Sequence, residues 1–230
     1  MMNRKLGYVY ESRGQTREAL DRYAKASEVN RQMMLADPSN ARARMDYAAG
    51  LKPRADLLNK SGDVRGALPV YREMLDIFGP LYVAQPGNRL YRVRYSAMLV
   101  YVGDLLARLH QTGEARRLYS QGLAIAREMA DQPGATPGDV YDYAEYLLDA
   151  PLPELENASL AVAYARRADD MTKHASPEYL ELLARAYEGA DDFANAAATQ
   201  EKALELIPPS PARKAAEGRL SRFRGEVRRK

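Results

Sequence analysis

The sequence contains no cysteine, which excludes disulfides, thiolate metal sites and a cysteine nucleophile. Histidine is also scarce: His110 and His174 are the only two in 230 residues, leaving little material for a zinc site or a histidine general base. We therefore expect no catalytic residue, no metal and no cofactor. A stand-alone hydrolase is the enzymatic alternative, and it would need a nucleophile and a base that these residues do not supply.

Long apolar runs are absent too, since the longest, Ala97–Val102 and Leu160–Ala165, are six residues each. A helix that spans a bilayer needs about 20 apolar residues, so we expect no membrane span. Near the N-terminus, Arg4 and Lys5 are followed by five residues before Glu11, which leaves no room for the apolar core of a secretion signal. We expect a cytoplasmic protein.

Charge is distributed unevenly along the chain. The formal net charge is +3, but residues 211–230 hold eight basic groups against Glu217 and Glu226, so this tail is +6 and the preceding residues are −3. A body without basic surface disfavours nucleic acid as the partner. Basic and apolar residues alternate along the tail at helical intervals, which indicates a terminal capping helix. A polybasic contact with acidic membrane or nucleic acid is the alternative.

A repeat with a period of 48 residues organises the rest of the sequence. The matching positions are Gly14, Gly62 and His110; Ala19, Ala67 and Ala115; Tyr23, Tyr71 and Tyr119; Tyr47, Tyr95 and Tyr143; and Leu51, Leu99 and Leu147. Within each unit, apolar residues recur at intervals of three and four, which is helical spacing. Connectors with proline and capping residues, at 37–40 and 85–88, separate the helices. The repeat is therefore predicted to be a helical hairpin.

Both ends of the chain resemble the tetratricopeptide repeat (TPR), whose signature combines Leu-Gly, aromatic residues, alanines and a late proline. The residues that carry this resemblance are Leu6, Gly7, Tyr10, Gly14, Ala19, Tyr23 and Ala26, and then Leu180, Leu183, Ala184, Tyr187, Ala196, Ala203 and Pro208. The long units and the segments 36–40, 153–158 and 199–204 resemble TPR regions C-terminal to bacterial Ser/Thr protein kinases. That resemblance implies a bacterial, kinase-associated scaffold or regulatory region, although these residues contain no His-Arg-Asp or Asp-Phe-Gly motif.

We predict an all-α fold, a right-handed TPR-like superhelix of about five helical hairpins plus a C-terminal capping helix, in one solenoid domain over residues 1–230. The predicted units are 1–37, 38–85, 86–133, 134–175 and 176–208, with the cap at 209–230. First helices are expected at 2–13, 39–60, 87–110, 138–149 and 177–189, and second helices at 15–36, 63–84, 112–131, 157–174 and 192–207. Pro151 and Pro153 are expected to stop the first helix of the fourth unit, and Pro53, Pro69 and Pro80 to kink helices of the second.

The first helices of the hairpins would line the concave face of such a superhelix, and their phase places polar and aromatic residues there. We predict a partner-binding groove formed by Arg4, Tyr8, Lys52, Asp56, Asn59, Asp104, Arg108, Tyr141, Glu145, Glu181 and Arg185. A solvated helix face is the alternative for any one of them. Because their charges are mixed, a protein or peptide segment that carries both signs fits better than a carboxylate held by a purely basic clamp.

The preferred function is a non-enzymatic protein–protein interaction scaffold, and the alternative is the regulatory C-terminal region of a Ser/Thr kinase whose catalytic domain lies outside this chain. The oligomeric state is left open. The repeated tyrosines are interpreted as core packing rather than as a ligand strip, and the repeated alanines as close helix contacts. His174 is interpreted as a cation at a helix end rather than a metal ligand, and His110 as a turn residue.

Overall fold

The computed structural model describes residues 2–229 and contains eleven α-helices and no β-strand within that range. The helices are α1 (Met2–Ser12), α2 (Thr16–Ala36), α3 (Ala41–Lys60), α4 (Val64–Ala84), α5 (Arg89–Arg108), α6 (Thr112–Asp131), α7 (Pro137–Leu148), α8 (Ala158–Met171), α9 (Pro177–Gly189), α10 (Phe193–Leu206) and α11 (Pro211–Val227). The predicted all-α class is confirmed, and every predicted helix is present with ends within three residues of the expected ones.

The helices group into two compact units, Met1–Gly122 and Leu123–Lys230, with the boundary inside α6. In the first unit α1 packs against α2 and α3 against α4, while α2 also contacts α3 and α4 contacts α5. In the second unit α7 packs against α8, α9 against α10, and α11 against α10. The single solenoid domain and its five unit boundaries stay a prediction.

Polar residues in the connectors begin the helices, as their positions predict. The side-chain oxygen of Asn40 accepts a hydrogen bond from the backbone N–H of Ala43 at 3.1 Å. Asn88, 48 residues later, accepts from the N–H of Leu90 at 3.1 Å and so caps α5 in the same way. Each cap satisfies a backbone donor that the first helical turn leaves without a partner. The repeat therefore preserves the helix starts as well as the buried positions.

Small residues mark the places where the two helices of a hairpin approach most closely. Ala19, Ala67 and Ala115 are all fully buried. On the facing helices, a Cβ added to Gly7 would lie 2.4 Å from the ring of Tyr23, and one added to Gly103 would lie 3.0 Å from Cβ of Tyr119. Any larger side chain would force the helices apart, so the interpretation of the alanines as close contacts is confirmed.

Five of the six repeated tyrosines are core residues, and Tyr95 is half-buried. Tyr23, Tyr71 and Tyr119 expose 0%, 3% and 1% of their surface. In the second set, the hydroxyl of Tyr47 donates to Glu73 at 2.5 Å, and the amide of Gln121 donates to the hydroxyl of Tyr95 at 3.3 Å, so the partner stands 26 residues downstream each time. The second and third units thus keep a polar partner for this tyrosine at the same separation along the chain.

Two helix ends differ in how well the sequence predicts them. α7 ends at Leu148, close to where Pro151 and Pro153 were expected to stop it. α8 ends at Met171 rather than at 174, because Lys173 and His174 adopt left-handed conformations with φ of 55° and 59°. His174 therefore lies beyond the helix, and its Nδ1 is 2.7 Å from Oδ2 of Asp169. The interpretation of His174 as a residue of the helix end is corrected accordingly.

The three prolines of the second repeat unit do not interrupt their helices. α3 continues through Pro53, and α4 continues through Pro69 and Pro80. The kinks expected at these positions stay a prediction.

The basic tail forms a helix that covers the end of the second unit. α11 contacts α10 and buries Ala216, Leu220 and Phe223 on one face, with Phe223 fully inaccessible. Its opposite face is basic, which is the amphipathic pattern of a terminal repeat cap. The prediction of a capping helix is confirmed.

Candidate functional site

In the first unit, one face of α3 and one face of α5 carry five of the predicted groove residues. Along each helix the residues in question are spaced by three or four positions, which places them on one side of the helix. We call the two faces together the α3–α5 surface. It consists of Met45, Ala49, Lys52, Asp56 and Asn59 of α3 and of Leu90, Arg94, Met98, Tyr101, Asp104 and Arg108 of α5.

The middle of the α3–α5 surface is a hydrogen-bonded group centred on Asp56. Lys52 Nζ lies 2.6 Å from one carboxylate oxygen of Asp56, and the hydroxyl of Tyr71, on α4, donates to the other at 2.6 Å. Lys52 Nζ also lies 6.0 Å from the centre of the Tyr101 ring, within range of a cation–π contact. Burial and the hydrogen bond to Asp56 raise the pKa of Tyr71, so its phenol stays protonated and continues to donate.

The C-terminal end of this surface is held together by Arg108. Its guanidinium donates to the amide oxygen of Asn59 at 2.5 Å and lies 3.5 Å from a carboxylate oxygen of Asp104. The first contact joins α5 to α3, and the second lies within α5. About two fifths of the Arg108 and Asp104 side chains is exposed. These contacts therefore fix polar groups of both signs at positions that a partner can reach.

The N-terminal end of the surface is apolar and contains a cavity of about 240 Å³. Its floor and walls are mainly methionine and other apolar side chains. The apolar lining residues are Met45, Ala49, Met74, Phe78, Leu90 and Met98. Charged side chains stand beside them. These are Arg42, Asp46, Lys52 and Arg94. The α3–α5 surface thus combines an apolar recess with a row of charged and aromatic groups.

The second unit holds a separate group of predicted groove residues on α7 and α9. The hydroxyl of Tyr141 donates to Glu145 at 3.3 Å, and the Tyr141 ring meets the edge of Tyr179 with centroids 5.3 Å apart. Arg185 donates to Asp149 at 2.5 Å. Burial, followed by the charge of Asp149, raises the pKa of the Glu145 carboxyl. The Arg185–Asp149 pair is exposed to about the same degree as the ion pairs of the α3–α5 surface.

The remaining predicted residues lie elsewhere. Glu181 accepts a hydrogen bond from Arg219 of the capping helix, so its carboxylate is engaged within the fold. Tyr8 is half exposed and meets the ring of Tyr23 edge-on at 5.5 Å. Arg4 borders a depression of about 540 Å³ among α1, α2 and α3. The predicted residues thus belong to both units, and their joining into one groove stays a prediction.

Six residues of the α3–α5 surface are not among the predicted groove residues. They are Met45, Ala49, Leu90, Arg94, Met98 and Tyr101. The signal that could have found them is their spacing, since each lies three or four residues from another member of the surface on its own helix. Ala49 lies three residues before Lys52, for example, and Met98 three before Tyr101.

Asp169, Asp170 and His174 come together at the end of α8, with ligand-type atoms within 4.8 Å of one another. Asp169 is buried and already hydrogen-bonded to His174 Nδ1 at 2.7 Å. This hydrogen bond connects the end of α8 to the following loop and explains why Asp169 and His174 lie close together. We therefore assign no metal site to the three residues.

Comparisons with solved structures identify the fold. A thermophilic TPR protein of Thermus thermophilus aligns with a TM-score of 0.58 at 17% identity over 98% of this chain and 97% of that one. BtubC of P. vanneervenii gives 0.56 at 18% over 91% and 87%. The nearly identical TPR-like repeats of a Podosopora anserina protein give 0.55 at 15% over 89% and 93%. No family model and no curated protein matches the sequence.

These likenesses show a TPR-like helical repeat fold, in agreement with the sequence resemblance. At sequence identities of 15–18%, these structures show the fold alone. Among residues 2–229, no helix is both long enough and apolar enough to cross a membrane.

Proposed function

We propose that this protein is a non-enzymatic scaffold that binds a segment of another protein on the α3–α5 surface. The observation that carries the proposal is the combination found there: an apolar cavity is continuous, along the same two helix faces, with charged groups that are held in place yet exposed. Fixed groups lower the entropy cost of binding, because few side chains have to be immobilised on association. TPR-like solved structures support the scaffold class through the fold.

The charge pattern of this surface favours a protein segment as the ligand. Lys52 and Asp56 on α3, and Asp104 and Arg108 on α5, each form a pair of opposite charges about one helical turn apart, and all four side chains are partly exposed. A nucleic acid would meet carboxylates as often as cations there, whereas a peptide can offer both signs. The two carboxylates therefore contribute to selectivity by excluding polyanions.

The test is a selection of 12-residue peptides from a random display library, with the purified chain as bait. Lys52→Glu combined with Arg108→Glu should remove the enriched peptides, with affinity reduced about tenfold or more. The matched control is Lys25→Glu with Arg31→Glu on α2, since Lys25 is also paired with an aspartate four residues away. An unchanged peptide set on the groove variant would refute the choice of surface.

A regulatory region of a bacterial Ser/Thr kinase is the second candidate, supported by the resemblance of the connectors at 36–40 and 153–158 to such regions. The same binding surface would then act within a larger signalling protein. Reading the genomic sequence upstream of the Met1 codon tests this. An in-frame kinase catalytic domain would support it, and a stop codon shortly upstream of an independent start would exclude it.

A further inference from the structure

The cavity of the α3–α5 surface has the chemistry of a recess for an apolar side chain. Met74, Phe78 and Met98 form its buried base, with exposures of 2%, 4% and 1%, and Leu90 stands 42% exposed at its edge. Apolar cavities of about 150 Å³ accommodate a benzene ring in other proteins. The volume of about 240 Å³ here is therefore large enough for a branched aliphatic or aromatic side chain.

Methionine is the main component of this recess, since Met45, Met74 and Met98 all line it. Methionine side chains are unbranched and polarisable, so they adapt their shape to different apolar groups. We therefore expect the recess to accept leucine, isoleucine, methionine or phenylalanine with little discrimination. Selectivity has to come from the charged groups beside it.

Those charged groups leave one cation available to a ligand. Arg42 is paired with Asp46 at 3.1 Å, and Lys52 with Asp56 at 2.6 Å. Arg94 also borders the cavity and is exposed, and it has no ion-pair partner among residues 2–229. It lies one helical turn from Met98 on the same face of α5. A carboxylate that approaches Arg94 would thus sit within one turn of a side chain that fills the recess.

We propose that the partner is a segment of another protein, which inserts one large apolar side chain into the cavity and pairs a carboxylate, no more than four residues away, with Arg94. This inference rests on the proposed function and names the chemistry of the ligand. The apolar residue supplies affinity through burial, and the carboxylate supplies orientation and selectivity. The exposed guanidinium can hold a carboxylate through two parallel hydrogen bonds.

The experiment uses the same peptide library on the full chain, with two further variants. Ala49→Trp places a bulky side chain at the cavity, at a position that is exposed, and Ala84→Trp is the matched control at an exposed site on α4. Arg94→Glu reverses the proposed carboxylate contact. We expect wild-type peptides to share a large apolar residue with Asp or Glu within four positions, and to lose about tenfold or more in affinity with Ala49→Trp but not with Ala84→Trp.

The decisive result is a charge exchange. Peptides selected on Arg94→Glu should carry Lys or Arg where wild-type peptides carry Asp or Glu, and a synthetic peptide with that one change should bind the variant better than it binds the wild type. Retained binding with Ala49→Trp, or an acidic preference that survives Arg94→Glu, would overturn the inference. Self-association of the chain that Ala49→Trp abolishes would also overturn it, because a second copy would then be the occupant.

The outcomes separate the two proposals. If peptides are enriched and depend on Lys52 and Arg108 but not on Ala49 or Arg94, the scaffold function stands and this inference fails. If the wild-type chain enriches no peptide beyond those that the Lys52→Glu/Arg108→Glu variant also enriches, both the scaffold function and this inference fail.

Discussion

The turn between the two helices of a hairpin requires one residue in the left-handed conformation. Gly14 and Gly62 occupy this position with φ of 72° and 84°, and His110 occupies it in the third unit with φ of 61°. The 48-residue period alone placed His110 in a turn, so sequence was sufficient here. The left-handed region costs an L-residue with a Cβ about 1–2 kcal/mol, whereas glycine enters it freely.

His110→Gly should therefore stabilise the chain by about 0.5–1 kcal/mol, since the relief of strain exceeds the added entropy of the unfolded state. Gly62→Ala should destabilise it by about 1–2 kcal/mol through conformation alone, because nothing lies within 4 Å of the added Cβ. Urea unfolding of both variants measures the difference. A less stable His110→Gly variant would show that the imidazole makes a contact worth more than the strain.

The hydroxyl of Tyr71 ties the buried core to the α3–α5 surface through its 2.6 Å bond to Asp56. The sequence predicted that this ring is buried but not that its hydroxyl bonds to Asp56. Periodicity indicates which face of a helix a residue occupies, but it does not identify the hydrogen-bond partner of the side chain. Burial and then Asp56 raise the pKa of this tyrosine above its ordinary value of 10.0. Below that value the phenol is protonated in both the folded and the unfolded state. Above it the unfolded state loses its proton first, so stability falls as the pH rises.

Tyr71→Phe should therefore cost about 1 kcal/mol at pH 7–9 through the lost hydrogen bond. Above pH 10 the wild type should lose its advantage by at most about 1.4 kcal/mol per pH unit, because phenylalanine cannot ionise. Urea midpoints of both proteins between pH 8 and 11 measure this gap. A gap that stays constant over the whole range would contradict the raised pKa.

At the scale of helices, intervals of three and four residues, proline stops and polar caps were enough to predict all eleven elements. The end of α8 was missed by three residues because it depends on a side chain outside the periodic pattern. His174 turns back to Asp169, and the left-handed backbone at Lys173 and His174 makes this possible. Local hydrogen bonds to Asp169, from both the backbone N–H and the imidazole of His174, accompany this end, and apolar spacing does not encode them.

α11 packs against α10, and the largest side chain that it buries completely is Phe223. Phe223→Ala should destabilise the second unit by about 3–5 kcal/mol, the usual cost of removing a buried aromatic ring. Val227→Ala on the same helix is the control, since that side chain is 43% exposed and should cost far less. Hydrogen exchange should show loss of protection in α11 and α10. Unchanged protection of α11 in Phe223→Ala would mean that other contacts hold the helix.

For the molecule as a whole, the sequence could predict the polar part of the candidate site but not the cavity. Lys52, Asp56 and Arg108 follow from the phase of single helices. The recess needs Met45 from α3, Met74 from α4 and Leu90 from α5 at once, so it exists only through the packing of three helices. The free cation at Arg94 was equally invisible, because an ion-pair partner can lie on any neighbouring helix.

Folding also reduces the number of basic side chains in the tail that are free of an ion pair. Most arginines of the tail are paired inside the second unit, so its formal charge of +6 overstates the basic surface it offers. The pairs are Arg213 with Glu217, Arg219 with Glu181, Arg222 with Glu188, Arg224 with Glu201 and Arg229 with Glu226. Among residues 211–229, Lys214 and Arg228 have no carboxylate partner in the described part of the chain. A capping helix whose cations are engaged in this way is poorly suited to hold a polyanion.

Binding to a 20-base-pair fluorescent DNA duplex should therefore be weak. The slope of log K against log[NaCl] should be no steeper than about −3, whereas eight free cations would give a slope of about −7. Glu188→Gln with Glu201→Gln releases Arg222 and Arg224, and should steepen the slope by about 2 if both then contact phosphates. A wild-type slope near −7 would show that DNA displaces the internal carboxylates, and the tail rather than the α3–α5 surface would then be the stronger binding element.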